Sequence, residues 1–349
     1  MHKRSLCLIK SLFVILLFNF FCQVLMAQQR HTLLKSIFQE LKNNSIHKNK
    51  INWSNMDQYL NTDSGKKRDP TDFLLSAVQK ILTELGDKHA SFQYNDTVIR
   101  GKFTENKRAI DSNIYQYALE ESYAFRTAVI DDQYGYIAMP SARVENEFLS
   151  DKSKMTQRIN QMAQQLQDSL CSLSNPGFRG LIIDLRLNMG GTLWIHLGAL
   201  TPLLKDGTLF TMQYADGSNI KFSRLGNTIY QDRDTMVTTH AHCGFDNKKV
   251  VVLVGPLTGS AGEQTALALK SNFHALIIGE ETAGYLSMNE TKVFEENAIL
   301  SYSKGILKDN QGKSYPHSLH PGLLVIGGDN FKNLVNDAKI KAAITQLKK

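Results

Sequence analysis

The sequence predicts an α/β protein preceded by a small helical segment, and three observations carry that prediction. Two apolar runs without alternation, GLIIDLRL (residues 180–187) and KVVVLVG (residues 249–255), have the composition of strands buried on both faces. The second run is followed by a helical stretch, AGEQTALALKSN, and then by a third apolar run, ALIIGE, ending at Glu280. Strand, helix, strand in that order makes a parallel crossover unit. Ahead of these runs, residues 30–85 carry their apolar side chains at helical spacing.

The elements follow in chain order. Residues 1–27 combine a basic start (Lys3, Arg4, Lys10), an apolar run to Met26 and a small residue at Ala27. That pattern reads as a secretory signal peptide and implies a secreted or periplasmic protein. The run borders on membrane-spanning length, so an uncleaved anchor is the alternative, with a lipid on Cys22 a weaker one. Without it the chain has 37 basic and 33 acidic residues, a net +4. No Lys/Arg cluster is dense enough for a nucleic-acid groove; Lys66-Lys67-Arg68 reads as a solvated turn.

Residues 28–93 are expected to form the helical domain. Leu33, Leu34, Ile37, Phe38 and Leu41 make one stripe, and Phe73, Leu74, Val78, Ile81, Leu82 and Leu85 another. Asp69 suits the N-cap of the second helix, Pro70 its first position and Gly86 its left-handed end. The core domain is expected over residues 94–349, starting with a strand at Gly135–Pro140. A helix follows, with Met155, Ile159, Met162, Leu166 and Leu170 on its apolar face. Asp216-Gly217, at the centre of alternating residues, signals a hairpin. Cys171 and Cys243 remain outside the leader and could form one disulfide; the chain has no Cys-x-x-Cys metal spacing, and no metal or cofactor is implied.

Three positions could do chemistry. Ser260 follows a buried strand, lies between Gly259 and Gly262, and opens a helix whose first N–H groups lack internal partners. A tetrahedral intermediate on Ser260 could place its oxygen near the Ala261 N–H. The same spacing also fits a capping box, Ser260 with Glu263, so residue types alone leave both uses open. Gly190 and Gly191 end a buried strand, where ligands of open α/β sheets gather; they fit either a tight turn or a close approach of an amide to substrate. Asp184 and Arg186 fit a structural pair supporting that loop. His89, just past the helix end at Gly86, fits a general base or an ordinary surface imidazole.

LGDKHASF, GLIIDLRLNMGG, VVVLVGPLTGSAGEQTALAL and ALIIGEETAG, with GYIAMPS and SYPHSLHPGLLV, resemble in order and spacing the C-terminal processing peptidases, the tricorn core proteases and the related interphotoreceptor retinoid-binding protein modules. The resemblance covers roughly residues 70–330. It implies a crotonase-like ββα core after a helical segment, and peptide or protein substrates. It also implies Ser260 as nucleophile, the amides of Ala261 and of Gly190 or Gly191 as oxyanion hole, and, as in the tricorn-like branch, His89 as base. Glu281 stands where the processing branch has its lysine. Lys88 stands where the tricorn-like branch has a serine, and YPHSLHPG carries no acid where that branch has a glutamate. Glu263 is expected to support the site. Only 46 positions separate His89 from Gly135, too few for a PDZ domain of about 90 residues. A binding module or an esterase on the same fold is the alternative function.

Overall fold

The computed structural model describes residues 25–61, 69–103, 110, 112–148, 151–240, 243–245, 248–294 and 297–349. Residues 1–24 of the expected leader and the basic cluster at 66–68 lie outside them. In chain order the helices are α1 (residues 25–44), α2 (Trp53–Leu60), α3 (Pro70–Leu85), α4 (Ser112–Leu119), α5 (Glu121–Ala124), α6 (Lys152–Cys171), α7 (Leu193–Ala199), α8 (Ala261–Asn272) and α9 (Ala338–Leu347). The strands are β1 (Ser91–Tyr94), β2 (Thr97–Ile99), β3 (Arg126–Ile130), β4 (Tyr134–Ala138), β5 (Gly180–Asp184), β6 (Gly207–Tyr214), β7 (Asn219–Leu225), β8 (Thr228–Gln231), β9 (Asp234–Thr238), β10 (Lys249–Val254), β11 (Leu276–Gly279), β12 (Met288–Phe294), β13 (Ala298–Asp309), β14 (Ser314–Tyr315) and β15 (Leu323–Leu324). The expected α/β class with a helical segment in front is the class found. Among the described residues no helix is long and apolar enough to cross a membrane.

The chain divides into two compact units, the first made of residues up to 105 with 289–304, the second of residues 106–288 with 305–349. In the first, the apolar stripes of α1 and α3 bury Leu34, Ile37, Leu41, Val78, Ile81 and Leu85 in one core with Phe92, Leu300 and Tyr302. The α3 boundaries follow from local chemistry. Asp69 accepts from the N–H groups of Thr71 and Asp72, Pro70 occupies the first turn, and Gly86 ends the helix at φ 62°. β1 pairs antiparallel with β2 and with the first half of β13, from Ser91↔Ser301 to Tyr94↔Ala298.

The second unit is built on a six-stranded sheet in the order β15-β11-β10-β5-β4-β3, parallel except for the edge strand β3. Every residue of β5 is buried, because both faces are covered. Leu181 and Ile183 point into a core shared with α6, α7 and α8, while Ile182 packs with Ile340, Ala343, Ile344 and Leu347 of α9. An antiparallel meander, β6 to β9, joins the first of these cores; its β6–β7 turn holds Gly217 at φ 87°. Cys171, the last residue of α6, is disulfide-bonded to Cys243, with Cα atoms 5.4 Å apart.

The parallel sheet also fixes its C-terminal edge electrostatically. Arg186, fully buried, pairs with Asp184 at 2.7 Å, Asp337 at 2.7 Å and Asp329 at 2.6 Å, and its guanidinium lies 4.6 Å from the Phe331 ring centre. Lys339, also buried, reaches Asp329 at 2.8 Å and Glu280 at 3.2 Å. A buried charge is tolerable only when paired in this way. The cluster fastens the segment after β15 across the ends of β5 and β11, the ends from which the candidate site is built.

Candidate active site

Ser260 sits at the turn between β10 and α8, with φ 51° and ψ −118°. An ordinary N-cap residue is extended, whereas a side chain held at positive φ costs on the order of 1–3 kcal/mol. A sharp strand-to-helix turn of this kind exposes a serine above the sheet edge, the arrangement described for nucleophile elbows. The turn is held from below. Thr258 Oγ1 donates to Leu185 O at 2.8 Å and accepts from Gly255 N–H at 2.9 Å, and Ala283 N–H donates to Thr258 O at 2.9 Å.

Glu263, one turn into α8 and fully buried, holds it from the side. Its Oε2 accepts from the N–H groups of Ser260 at 2.9 Å and Tyr285 at 2.8 Å; its Oε1 accepts from Gly284 N–H at 3.0 Å and from the Thr282 hydroxyl. Burial pushes the carboxyl up to about 7, against these four donors, which favour the anion. Glu263 thus ties the loop after β11 to the start of α8.

Gly190 and Gly191 lie at the end of the segment following β5, at φ 109° and φ 128°. Neither position admits a side chain. A Cβ on Gly190 would lie 2.8 Å from Ser260 Cβ and 3.4 Å from Ala261 N, and one on Gly191 would lie 2.0 Å from Ala142 O. The Gly190 N–H donates to Asn188 Oδ1 at 2.9 Å, so that donor is engaged inside the loop. Ala261 N–H, at the first position of α8, has no acceptor within the helix. The structure therefore brings Ser260, Ala261, Glu263, Gly190 and Gly191 together in the second unit.

His89 is carried by the first unit, half-buried in the turn after α3. Its N–H donates to Asp87 Oδ1 at 3.1 Å, and its carbonyl accepts from Asn289 Nδ2 at 3.0 Å. Asp87, buried, also accepts from Ser303 N–H at 2.8 Å and Ser303 Oγ at 2.7 Å, which fixes the main chain on both sides of the imidazole. Glu281 is exposed and accepts from the Ser318 hydroxyl, with His320 Nε2 at 3.8 Å. Among the described residues no group of three or more His, Cys, Asp or Glu could hold a metal ion.

Sequence reasoning missed His196, Thr282 and the role of Asn188. His196 lies on α7, fully buried, with Nε2 2.8 Å from Pro140 O and 3.1 Å from Asn188 Nδ2. Burial lowers its pKa, so the ring is neutral. The only signal in the sequence is a histidine inside the apolar run LWIHLGAL, which a core position explains equally well.

Comparison with known proteins places these features in a family. Residues 133–321, more than half of the chain, match the model for peptidase family S41. Among curated proteins, the nisin-resistance protein of Lactococcus lactis is 33% identical over 145 residues, covering 41% of this chain and 45% of that one. The carboxy-terminal processing protease CtpA of Bacillus subtilis is 27% identical over 152 residues, covering 43% and 29%. The matches thus span less than half of the length of these relatives. A lipoprotein from Streptococcus agalactiae aligns in structure with TM-score 0.66 at 18% identity, over 91% of this chain and 96% of that one. The photosystem II D1 C-terminal processing protease aligns with TM-score 0.53 at 14% identity, over 88% and 96%. At such identities the structural likeness is one of fold, and it agrees with the family match: this chain belongs to peptidase family S41, a family of serine-type peptidases.

Proposed function

We propose that the protein is an exported serine peptidase that hydrolyses peptide bonds through an acyl-enzyme on Ser260. The strained backbone of Ser260, pressed against Gly190 at the mouth of a parallel sheet, carries this reading. His89 takes the hydroxyl proton as Oγ attacks the carbonyl carbon, then returns it to the leaving amine; water repeats the cycle and frees the acid. The amide of Ala261 and that of Gly191, or of Gly190 once it leaves Asn188, receive the oxyanion. Glu263 acts by holding the turn rather than by proton transfer, since its four accepted hydrogen bonds all serve backbone or loop groups. Export is supported by the basic and apolar leader and by the Cys171–Cys243 disulfide, which persists in oxidising compartments. The proposed layout is a leader at 1–27, a helical domain at 28–93 and the peptidase core at 94–349.

The test is hydrolysis of a mixed peptide library by the purified protein, with Ser260→Ala and His89→Ala beside it. Ser260→Ala is expected to remove turnover, and His89→Ala to lower it at least 100-fold. Turnover that survives Ser260→Ala would refute the acyl-enzyme. Wild-type turnover in His89→Ala would give the base role to another group.

A further inference from the structure

Asn188 is fully buried and touches three segments of the second unit at once. Its backbone carbonyl accepts from Gly259 N–H at 3.0 Å, next to the nucleophile position. Its side-chain Oδ1 accepts from Gly190 N–H at 2.9 Å, within the glycine loop. Its Nδ2 donates to Pro140 O at 3.0 Å, in the segment leaving β4. The same segment holds the loop twice more, through Met189 N–H to Ser141 Oγ at 2.8 Å and Thr192 N–H to Ala142 O at 2.6 Å.

Pro140 O is the point on which this arrangement closes, because His196 Nε2 lies 2.8 Å from it. A carbonyl oxygen only accepts, so the proton of the neutral imidazole sits on Nε2. Nε2 then cannot accept from Asn188 Nδ2, and the two groups stand side by side as donors to one oxygen. The other nitrogen, Nδ1, is buried without a hydrogen-bond partner. An unsatisfied buried polar atom costs about 1–3 kcal/mol, which an aliphatic side chain at this place would avoid. The single useful polar contact of His196 is therefore its bond to Pro140.

We propose that His196 and Asn188 are positioning residues for the oxyanion loop. His196 fixes the Pro140 carbonyl, Pro140 fixes the Asn188 carboxamide, and Asn188, by holding the Gly190 N–H, sets the glycine loop against Ser260. The inference rests on the serine-peptidase reading above. It assigns His196 no proton transfer, since its ring is closed off from solvent and its proton is spent on a backbone carbonyl. A loop displaced from Ser260 would still bind substrate but would lose contact with the charge that develops on the carbonyl oxygen, so the loss falls on kcat rather than KM.

The experiment compares His196→Asn, which has no donor at the Nε2 position, with His196→Gln, whose terminal N–H can reach Pro140 O. The readouts are kcat per active site, counted by labelling with a fluorophosphonate, KM, and the affinity of a peptide boronate that forms a tetrahedral adduct. His196→Asn is expected to lose about 10- to 100-fold in kcat and a similar factor in boronate affinity, less than outright removal of a donor, with KM within about twofold. His196→Gln should recover most of both. Ser141→Ala, which removes the acceptor for Met189 N–H at a half-buried position, should show the same split and serves if His196→Asn does not fold. Normal kcat per labelled site in folded His196→Asn or Ser141→Ala, beside an inactive Ser260→Ala, overturns the positioning role alone. Turnover persisting in Ser260→Ala instead overturns the serine reading, and the loop's role with it.

Discussion

Ser260 holds a backbone conformation that glycine adopts freely and serine does not, and the consequence can be measured apart from catalysis. Ser260→Ala keeps the strain, and its stability should stay within about 1–2 kcal/mol of the wild type. Ser260→Gly releases the strain, and thermal unfolding should occur at or above the wild-type temperature although the protein is inactive. A Ser260→Gly protein less stable than Ser260→Ala would contradict the strained-turn account. The sequence singled this residue out, but Ser-Ala-Gly-Glu fits a capping box as well as a nucleophile, and only the order of the surrounding motifs favoured the second use. Its conformation was not legible there, because φ is decided by the packing of Gly190, Thr258 and Glu263 around the turn, contacts from distant parts of the chain.

At the scale of elements, α8 and the loop after β11 are joined by one buried carboxyl. Glu263→Gln preserves size but turns one acceptor oxygen into a donor, leaving two of the four partners facing N–H groups. A loss of roughly 2–4 kcal/mol is expected in chemical denaturation, together with a fall in kcat. The pH dependence has a definite sign. A carboxyl raised from 4.5 to about 7 binds its proton more tightly in the folded state, so its contribution to stability is full below pH 4.5 and is lost as pH rises through about 7. Denaturation at pH 5 and pH 8 should show this decline in the wild type and not in Glu263→Gln. A second clamp joins the end of α6 to Cys243 across 72 residues, and Cys171→Ser with Cys243→Ser should cost about 2–4 kcal/mol, read in urea under non-reducing conditions. The caps and stripes of α3, α6 and the buried strands were legible because they are local. The β6–β9 meander was legible only at its Asp216-Gly217 turn, and α9 not at all, since its partners lie on strands far away in sequence.

For the whole molecule, the order of motifs in the chain was more informative than any one of them. Ser260, Gly190 and Glu263 converge from segments up to 73 residues apart. The Asp184–Arg186 pair was read from the sequence, but His196 and the extension of that pair to Asp329, Asp337 and Lys339 were not, because burial and pairing, not spacing, give those residues their meaning. If His89 is the base, activity must rise from acid to neutral pH as an imidazole loses its proton, and Lys88→Ala should leave that profile unchanged. The central claim is that Ser260 is an activated nucleophile. Incubating the folded protein with a fluorophosphonate near neutral pH, digesting it and locating the adduct by mass spectrometry tests that claim most directly. The account predicts a single adduct on Ser260, absent from Ser260→Ala. An adduct on another residue, or no adduct on demonstrably folded protein, would contradict it.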